Sequence, residues 1–153
     1  DPSRAWTMKL FPTIVFLLSA VVAFCTGTSF GTMGILMPMV VSLCYTLLAA
    51  TGGVPPASDP ILLGSIGGFL AGAVFGDHCS PISDTTILSS QSCSCDHIAH
   101  VMTQMPYALT TAAVTVVLGT LPLGWGWSAW SLMPLQVVAL IAIVFVFGRK
   151  VES

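Results

Sequence analysis

Five apolar runs organise the chain: Leu10–Cys25, Met33–Ala50, Ile61–Gly76, Tyr107–Leu123 and Leu132–Gly148. Each holds 16 to 18 residues. That is the short limit for a helix crossing a hydrocarbon core, which takes about 20. No run alternates apolar and polar residues with period two, which argues against a transmembrane barrel. Backbone groups in lipid must find partners within their own segment, and that leaves helices. The pattern predicts an all-α integral membrane protein, a transmembrane helix bundle in which residues 1–153 are part of a single transmembrane domain. Short runs in succession further predict broken, tilted or re-entrant helices.

The first run also mimics a secretory signal. Met8–Gly27 carries a basic residue, an apolar stretch and small residues, as such a signal does. Four more runs of the same character come after it, and a secreted soluble protein would not contain them. Between the runs, Thr51–Pro60 (TGGVPPASDP) reads as a loop from its Gly and Pro content. Pro122–Ser131 carries Trp125, Trp127 and Trp130. Tryptophan favours the membrane–water interface, so this loop is expected at a bilayer surface.

Two of the joints carry chemistry. Gly64, Gly68, Gly72 and Gly76 recur every four residues. On a helix they form a groove that another backbone can approach closely, so this is a packing face inside a bundle. The same helix then meets Asp77-His78-Cys79-Ser80-Pro81-Ile82-Ser83-Asp84-Thr85-Thr86. Ile61–Gly76 would rise only about 24 Å, short of the roughly 30 Å core, so Asp77 is expected at membrane depth. Pro81 cannot continue a regular helix and disfavours helix at Ser80. Ser83 or Asp84 suits the N-cap of a second half-helix running to about Ser90. Asp77 would then follow a helix C-terminus, where a carboxylate is disfavoured unless a cation or a proton joins it. It is the candidate for exchanging a proton for a cation. Asp84 would sit at a helix N-terminus that favours its charge, as a cap or a permanently ionised ligand.

The other joint, Cys25–Gly34 (CTGTSFGTMG), has no charge but four hydroxyls and three glycines. Glycine permits unwinding, and hydroxyls with freed carbonyls suit a hard cation such as sodium. Small residues also serve ordinary packing. What favours an ion site is the pairing, because two interrupted apolar segments point to the binding site of secondary transporters.

Composition narrows the class. The chain is 55% apolar and only 7% charged, where soluble domains average about 25% charged. From residue 10 to residue 148 it holds the acids Asp59, Asp77, Asp84 and Asp96 and no Lys or Arg. With a net charge of −2 it offers no basic face for nucleic acid. Arg4 and Lys9 at one end and Arg149 and Lys150 at the other would both be drawn to the cytoplasm, which conflicts with five crossings and leaves orientation open. Cys25, Cys44, Cys79, Cys93 and Cys95 are too dispersed for a disulfide scaffold. Cys93-x-Cys95, with His78, His97 and His100 nearby, lacks zinc-ligand spacing. Asp96 is a plausible N-cap, and His97 and His100, one turn apart, read as interfacial residues able to sense pH.

The stretches AFCTGTSFGTMGILMP and GDHCSPISDTTILSS, the latter followed by CDHIAHVMTQMPYAL, resemble signature segments of NhaC-type sodium/proton antiporters. The chain departs from that pattern at Gln91–Cys95 (QSCSC). The resemblance implies the C-terminal part of a longer inverted-repeat ion transporter with helical hairpins. It implies that Asp77, Ser80, Ser83, Asp84 and Thr85 line or support the ion path, with a role for Thr26, Thr28 and Ser29. The expected activity is exchange of sodium for protons by alternating access in the cell membrane. A coupled carrier of a small organic acid or amino acid, or an inactive fragment, is the alternative. No cofactor is expected beyond transported sodium and protons. The expected partners are the bilayer and the remaining N-terminal part of the transporter, with a homo-oligomer left open. With the matching half absent, the Gly64–Gly76 groove is expected to lack its partner helix. An enzyme is disfavoured, since the sequence has no HExxH pair and no nucleophile–base arrangement.

Overall fold

The computed structural model describes residues 2–50 and 59–148, and every regular element among them is helical. In chain order these are α1 (Pro2–Thr26), α2 (Ser29–Ala49), α3 (Pro60–Cys79), α4 (Asp84–Ser92), α5 (His97–Thr115), α6 (Leu121–Gly124) and α7 (Ala129–Phe147). A π turn, Val116–Thr120, joins α5 to α6. Most of the loop expected at Thr51–Pro60 lies outside the described residues. Among the described residues, five stretches are long and apolar enough to cross a bilayer: Trp6–Thr26, Ser29–Ala49, Pro60–Cys79, His97–Gly124 and Ala129–Val146.

The helices outrun the apolar runs because polar residues extend and cap their ends. Asp59 caps α3, its carboxylate accepting from the backbone N–H of Ile61 at 2.8 Å and Leu62 at 3.2 Å. Asp96 caps α5 as expected, accepting from Ala99 N–H at 2.8 Å. At its other end α3 continues through Asp77 to Cys79. Its 20 residues rise about 30 Å, the full thickness of the hydrocarbon core. This corrects the shorter span read from the apolar run: Asp77 stands near the far end of a complete crossing, about 26 Å from Pro60.

The glycine groove is filled from within the chain. A Cβ on Gly72 would collide with the carbonyl oxygen of Phe16 and the hydroxyl of Ser19, and one on Gly76 with the carbonyl of Ala20. A Cβ on Gly68 would lie 2.9 Å from the carbonyl of Pro12. Ser80 completes the series, donating to the carbonyl of Phe24 at 2.8 Å across the same 56-residue offset. Both series ascend, so α1 and α3 run parallel, glycine against carbonyl at each turn. The partner helix expected to be missing is therefore α1. Gly64, one turn earlier, meets the Leu123 side chain of α6 instead.

The other helices pack around this pair. α2 runs antiparallel to α3, with Val40, Cys44 and Leu48 in one cluster with Phe11, Val15, Leu62 and Phe69. Phe16 and Phe75 stack with ring centroids 6.1 Å apart. α5 returns along the opposite side of α3, from Gln104 beside His78 to Thr120 beside Gly68. In the π turn the N–H of Leu121 bonds the carbonyl of Val116, five residues back. Thr120 there accepts from the Thr13 hydroxyl of α1 at 2.9 Å. α7 is almost wholly exposed, only 6% of its span being buried.

One end of the bundle carries an aromatic belt. Trp125, Trp127 and Trp130 are all more than half exposed. Gly124 beside them packs on the backbone of Lys9, whose ammonium lies 5.6 Å from the centre of the Trp6 ring. Trp6 is also more than half exposed. Such a belt marks a membrane–water interface. The two broken joints lie at the opposite end of α1 and α3.

Candidate functional site

The first joint is tighter than its composition suggests. α1 runs to Thr26 and α2 starts at Ser29, so only two residues leave the helix. Gly27 supplies the turn at φ 67°, a left-handed conformation costly for residues with a Cβ. Thr28 is extended, and its hydroxyl accepts from Gly31 N–H at 3.2 Å, capping α2. Thr26 donates back to the Val22 carbonyl at 2.9 Å and lies 3.3 Å from the Thr32 hydroxyl. These two threonines thus shape the helix ends.

The second joint breaks at Pro81, as expected. Ser80 is extended at ψ 129°, and its N–H bonds the Asp77 carbonyl at 3.1 Å. Ser83, also extended, is the N-cap of α4, and Asp84 is the first helical residue. Asp84 is exposed, whereas Ser80 and Ser83 are fully buried. The joints touch each other: a Cβ on Gly27 would lie 2.9 Å from both the carbonyl oxygen and the side chain of Ile82.

Asp77 lies where the joints meet. Its Oδ1 accepts from the Ser83 hydroxyl at 2.7 Å and its Oδ2 from the Ser29 hydroxyl at 3.1 Å. Ser83 also lies 2.8 Å from the Thr85 hydroxyl. Ser29 opens α2 and Ser83 immediately precedes α4. The carboxylate, though carried on the last turn of α3, therefore faces the N-terminal ends of two other helices. Those ends present N–H dipoles that favour negative charge. This changes the picture of a carboxylate stranded at a helix C-terminus. Four oxygen-bearing side chains from three helices, Asp77, Ser29, Ser83 and Thr85, converge here. Ser80 braces the joint against α1 rather than facing the carboxylate, and Asp84 stands outside the hydrogen-bonded group. The described residues contain no cluster of three or more His, Cys, Asp or Glu suited to a bound metal.

Sequence reasoning missed how the histidines engage the second joint. His97 Nε2 donates to the Pro81 carbonyl at 2.6 Å, and its Nδ1 lies 3.0 Å from the Ser90 hydroxyl. Gln104 Nε2 donates to the carbonyl of His78 at 3.0 Å and lies 2.6 Å from its ring Nε2. The available signal was the break itself: a carbonyl in an unwound joint lies outside any helical ladder and needs a donor, and His97 opens the next helix.

Residues 3–125 match the Na+/H+ antiporter family. The chain belongs to that family. It is 41% identical over 143 residues, 94% of its length, to an uncharacterized protein of Haemophilus influenzae, covering 25% of that relative. It is 40% identical over 114 residues, 72% of its length, to an uncharacterized Na+/H+ antiporter of the same organism, covering 22% of it. With the malate-2H+/Na+-lactate antiporter of Bacillus subtilis it shares 30% identity over 112 residues, 73% of this chain and 22% of that one. The chain thus spans about a quarter of the length of the curated relatives it matches. No solved structure matches it. Membership of an antiporter family, with five membrane-length apolar helices, makes it an integral membrane protein of the transporter class rather than an enzyme.

Proposed function

We propose that this chain is the C-terminal part of a secondary transporter in the cell membrane that exchanges sodium ions for protons, with Asp77 as the shared site. The observation that carries the reading is the Asp77 carboxylate held between Ser83 and Ser29, one hydroxyl from each joint. A hard cation takes oxygen ligands, and the group offers a carboxylate and neutral hydroxyls. Sodium would be held by the ionised carboxylate with Ser29, Ser83 and Thr85 turned to present lone pairs. A proton on Asp77 would remove the charge that holds the ion. The two occupants therefore exclude each other, which is the requirement of antiport. The rest of the transporter would supply the remaining ligands across a repeat interface.

The test is sodium-driven proton movement by a full-length protein containing this segment, read with a pH dye in everted membrane vesicles. Exchange without any organic substrate is expected. The name of the Bacillus subtilis relative favours one other reading, in which a small organic acid is carried as well. Exchange that starts only when such an acid is added would select it.

The two hydroxyls of the first joint are expected to behave differently. Ser29→Ala removes a hydrogen bond to a charged group, worth about 1.5 kcal/mol or more. It should raise the sodium concentration for half-maximal rate roughly tenfold with little change in maximal rate. Thr28→Val removes the α2 cap, about 1 kcal/mol of stability, and should lower protein yield more than sodium affinity. Sodium titration of both variants at matched protein level checks this, and an unchanged sodium dependence in Ser29→Ala would mean that the joint only packs.

A further inference from the structure

His97 closes a loop of the chain around the second joint. It is the first residue of α5, and its ring bridges the start of the joint, 16 residues back, to the end of α4, 7 residues back. Nε2 meets the Pro81 carbonyl at 2.6 Å. Nδ1 meets the Ser90 hydroxyl, in the last turns of α4, at 3.0 Å. Ser90 is almost fully buried, and its single hydroxyl proton serves either Nδ1 of the neutral ring or the Ile87 carbonyl 2.9 Å away. A carbonyl oxygen can only accept, so Nε2 carries a proton and the ring is oriented by its two partners. The Pro81 carbonyl lies between α3 and α4, outside the ladder of either helix. Left without a donor near the membrane, such a group costs free energy.

The position of that carbonyl matters because Ser83 stands only two residues further along the chain. Ser83 donates to Asp77 at 2.7 Å and is fully buried. Its backbone is extended at ψ 136°, not helical, and its hydroxyl makes no cap to its own helix. Ser83 holds Asp77 only while the Pro81–Ser83 backbone keeps this path. The backbone is fixed from one side by Ser80 on the Phe24 carbonyl at 2.8 Å. His97 fixes it from the other.

We infer that His97 is a positioning residue for the ion site: its Nε2–H on the Pro81 carbonyl sets the backbone that presents Ser83 to Asp77. The inference rests on the reading of Asp77 as the exchange site. It also gives α4 a purpose. The short helix is the arm that brings Ser90 to the second ring nitrogen, so the ring cannot swing off the carbonyl.

The experiment compares His97→Gln, His97→Phe and Ser90→Ala in the full-length transporter. Asp77→Asn is prepared alongside, and sodium titrations are read in everted vesicles at matched protein level. Glutamine places a donor near the position of Nε2, so His97→Gln should keep the sodium concentration for half-maximal rate within about threefold of native, a difference under about 1 kcal/mol. Phenylalanine fills the space without a donor. His97→Phe should raise that concentration about tenfold or more, as expected for loss of this part-buried hydrogen bond, while maximal rate changes less. Ser90→Ala should lie between the two. Native sodium dependence in His97→Phe, or a glutamine variant as impaired as the phenylalanine one, overturns the inference. If His97→Phe does not reach the membrane, Ser90→Ala and His97→Gln decide: native dependence in Ser90→Ala overturns it, and a shift there with near-native behaviour in His97→Gln supports it. Exchange retained by Asp77→Asn sinks the site reading and this inference with it. Exchange lost in Asp77→Asn but unaltered by the His97 and Ser90 variants overturns this inference alone.

Discussion

Asp77→Asn in a full-length transporter containing this segment is expected to abolish sodium-driven proton movement while leaving the protein in the membrane at near-native level. Asparagine has the size of aspartate, and its carbonyl can still accept from one of the two serine hydroxyls that now bond Oδ1 and Oδ2. The last turn of α3 and the contact between the joints do not depend on the charge. Ser80 still holds the Phe24 carbonyl, and Gly27 still meets Ile82. What disappears is the one group at this meeting point that can bind a proton or a cation in turn. The loss should therefore be in maximal rate and not recoverable by more sodium, unlike that of Ser29→Ala. Asp84→Asn serves as the contrast. Asp84 is exposed at the start of α4, and its substitution is expected to reduce exchange without ending it. Both are read from the pH-dye response to a sodium pulse, with protein quantified in the same vesicles. A normal response from Asp77→Asn would refute the assignment.

The second large effect is expected from the glycines. Gly72→Ala and Gly76→Ala put a methyl group into backbone carbonyls of α1, and a backbone atom cannot rotate aside as a side chain can. Overpacking of this kind costs about 1–3 kcal/mol, and here the only relief is to separate α1 from α3. That separation also moves Phe24 from Ser80 and Ser29 from Asp77. Both variants should lose most folded protein, read as detergent-stable monodisperse material. Gly67→Ala is the internal control. A Cβ there meets nothing within 4 Å, and alanine favours helix over glycine by about 1 kcal/mol, so its yield should match or exceed the native one. Equal yields from all three variants would show that the ladder is not under the tension its geometry implies.

Much of this architecture is legible in the sequence because it is set by local rules. Pro81, with the N-cap candidates Ser83 and Asp84 just behind it, marks a helix end, although Pro12, Pro38, Pro106 and Pro134 stay inside helices, and Asp59 and Asp96 lie in front of helical runs as caps do. The four-residue glycine spacing forecasts close helix packing. It does not say which helix is met, since α1 and α3 are brought together by a 56-residue offset that no local pattern encodes. For the same reason the sequence sets Asp77 against the dipole of its own helix alone. The N-termini of α2 and α4 that face it belong to contacts 48 and 6 residues away in sequence. Asp84, equally acidic and equally near the proline, is indistinguishable by composition; helical phase turns it outward. The apolar run understates the length of α3 because it stops at the first polar residue, whereas a helix continues as long as its backbone hydrogen bonds can be made.

The π turn at Val116–Thr120 has a consequence for how the chain tolerates change in length. A five-residue hydrogen-bonded turn accommodates one residue more than the α ladder around it. Everything after Thr120 is therefore rotated by about 100° from where an uninterrupted α-helix would leave it. That rotation aims Leu123 into the space above Gly64 and lays Gly124 on the Lys9 backbone. A single-residue deletion here would let the ladder close as an ordinary helix and leave both residues in their seats, whereas an insertion would swing them away. A substitution at Val117, which is exposed, would leave the phase intact. The segment should thus tolerate the loss of one residue far better than the gain of one, an asymmetry that an unbroken α-helix would not show.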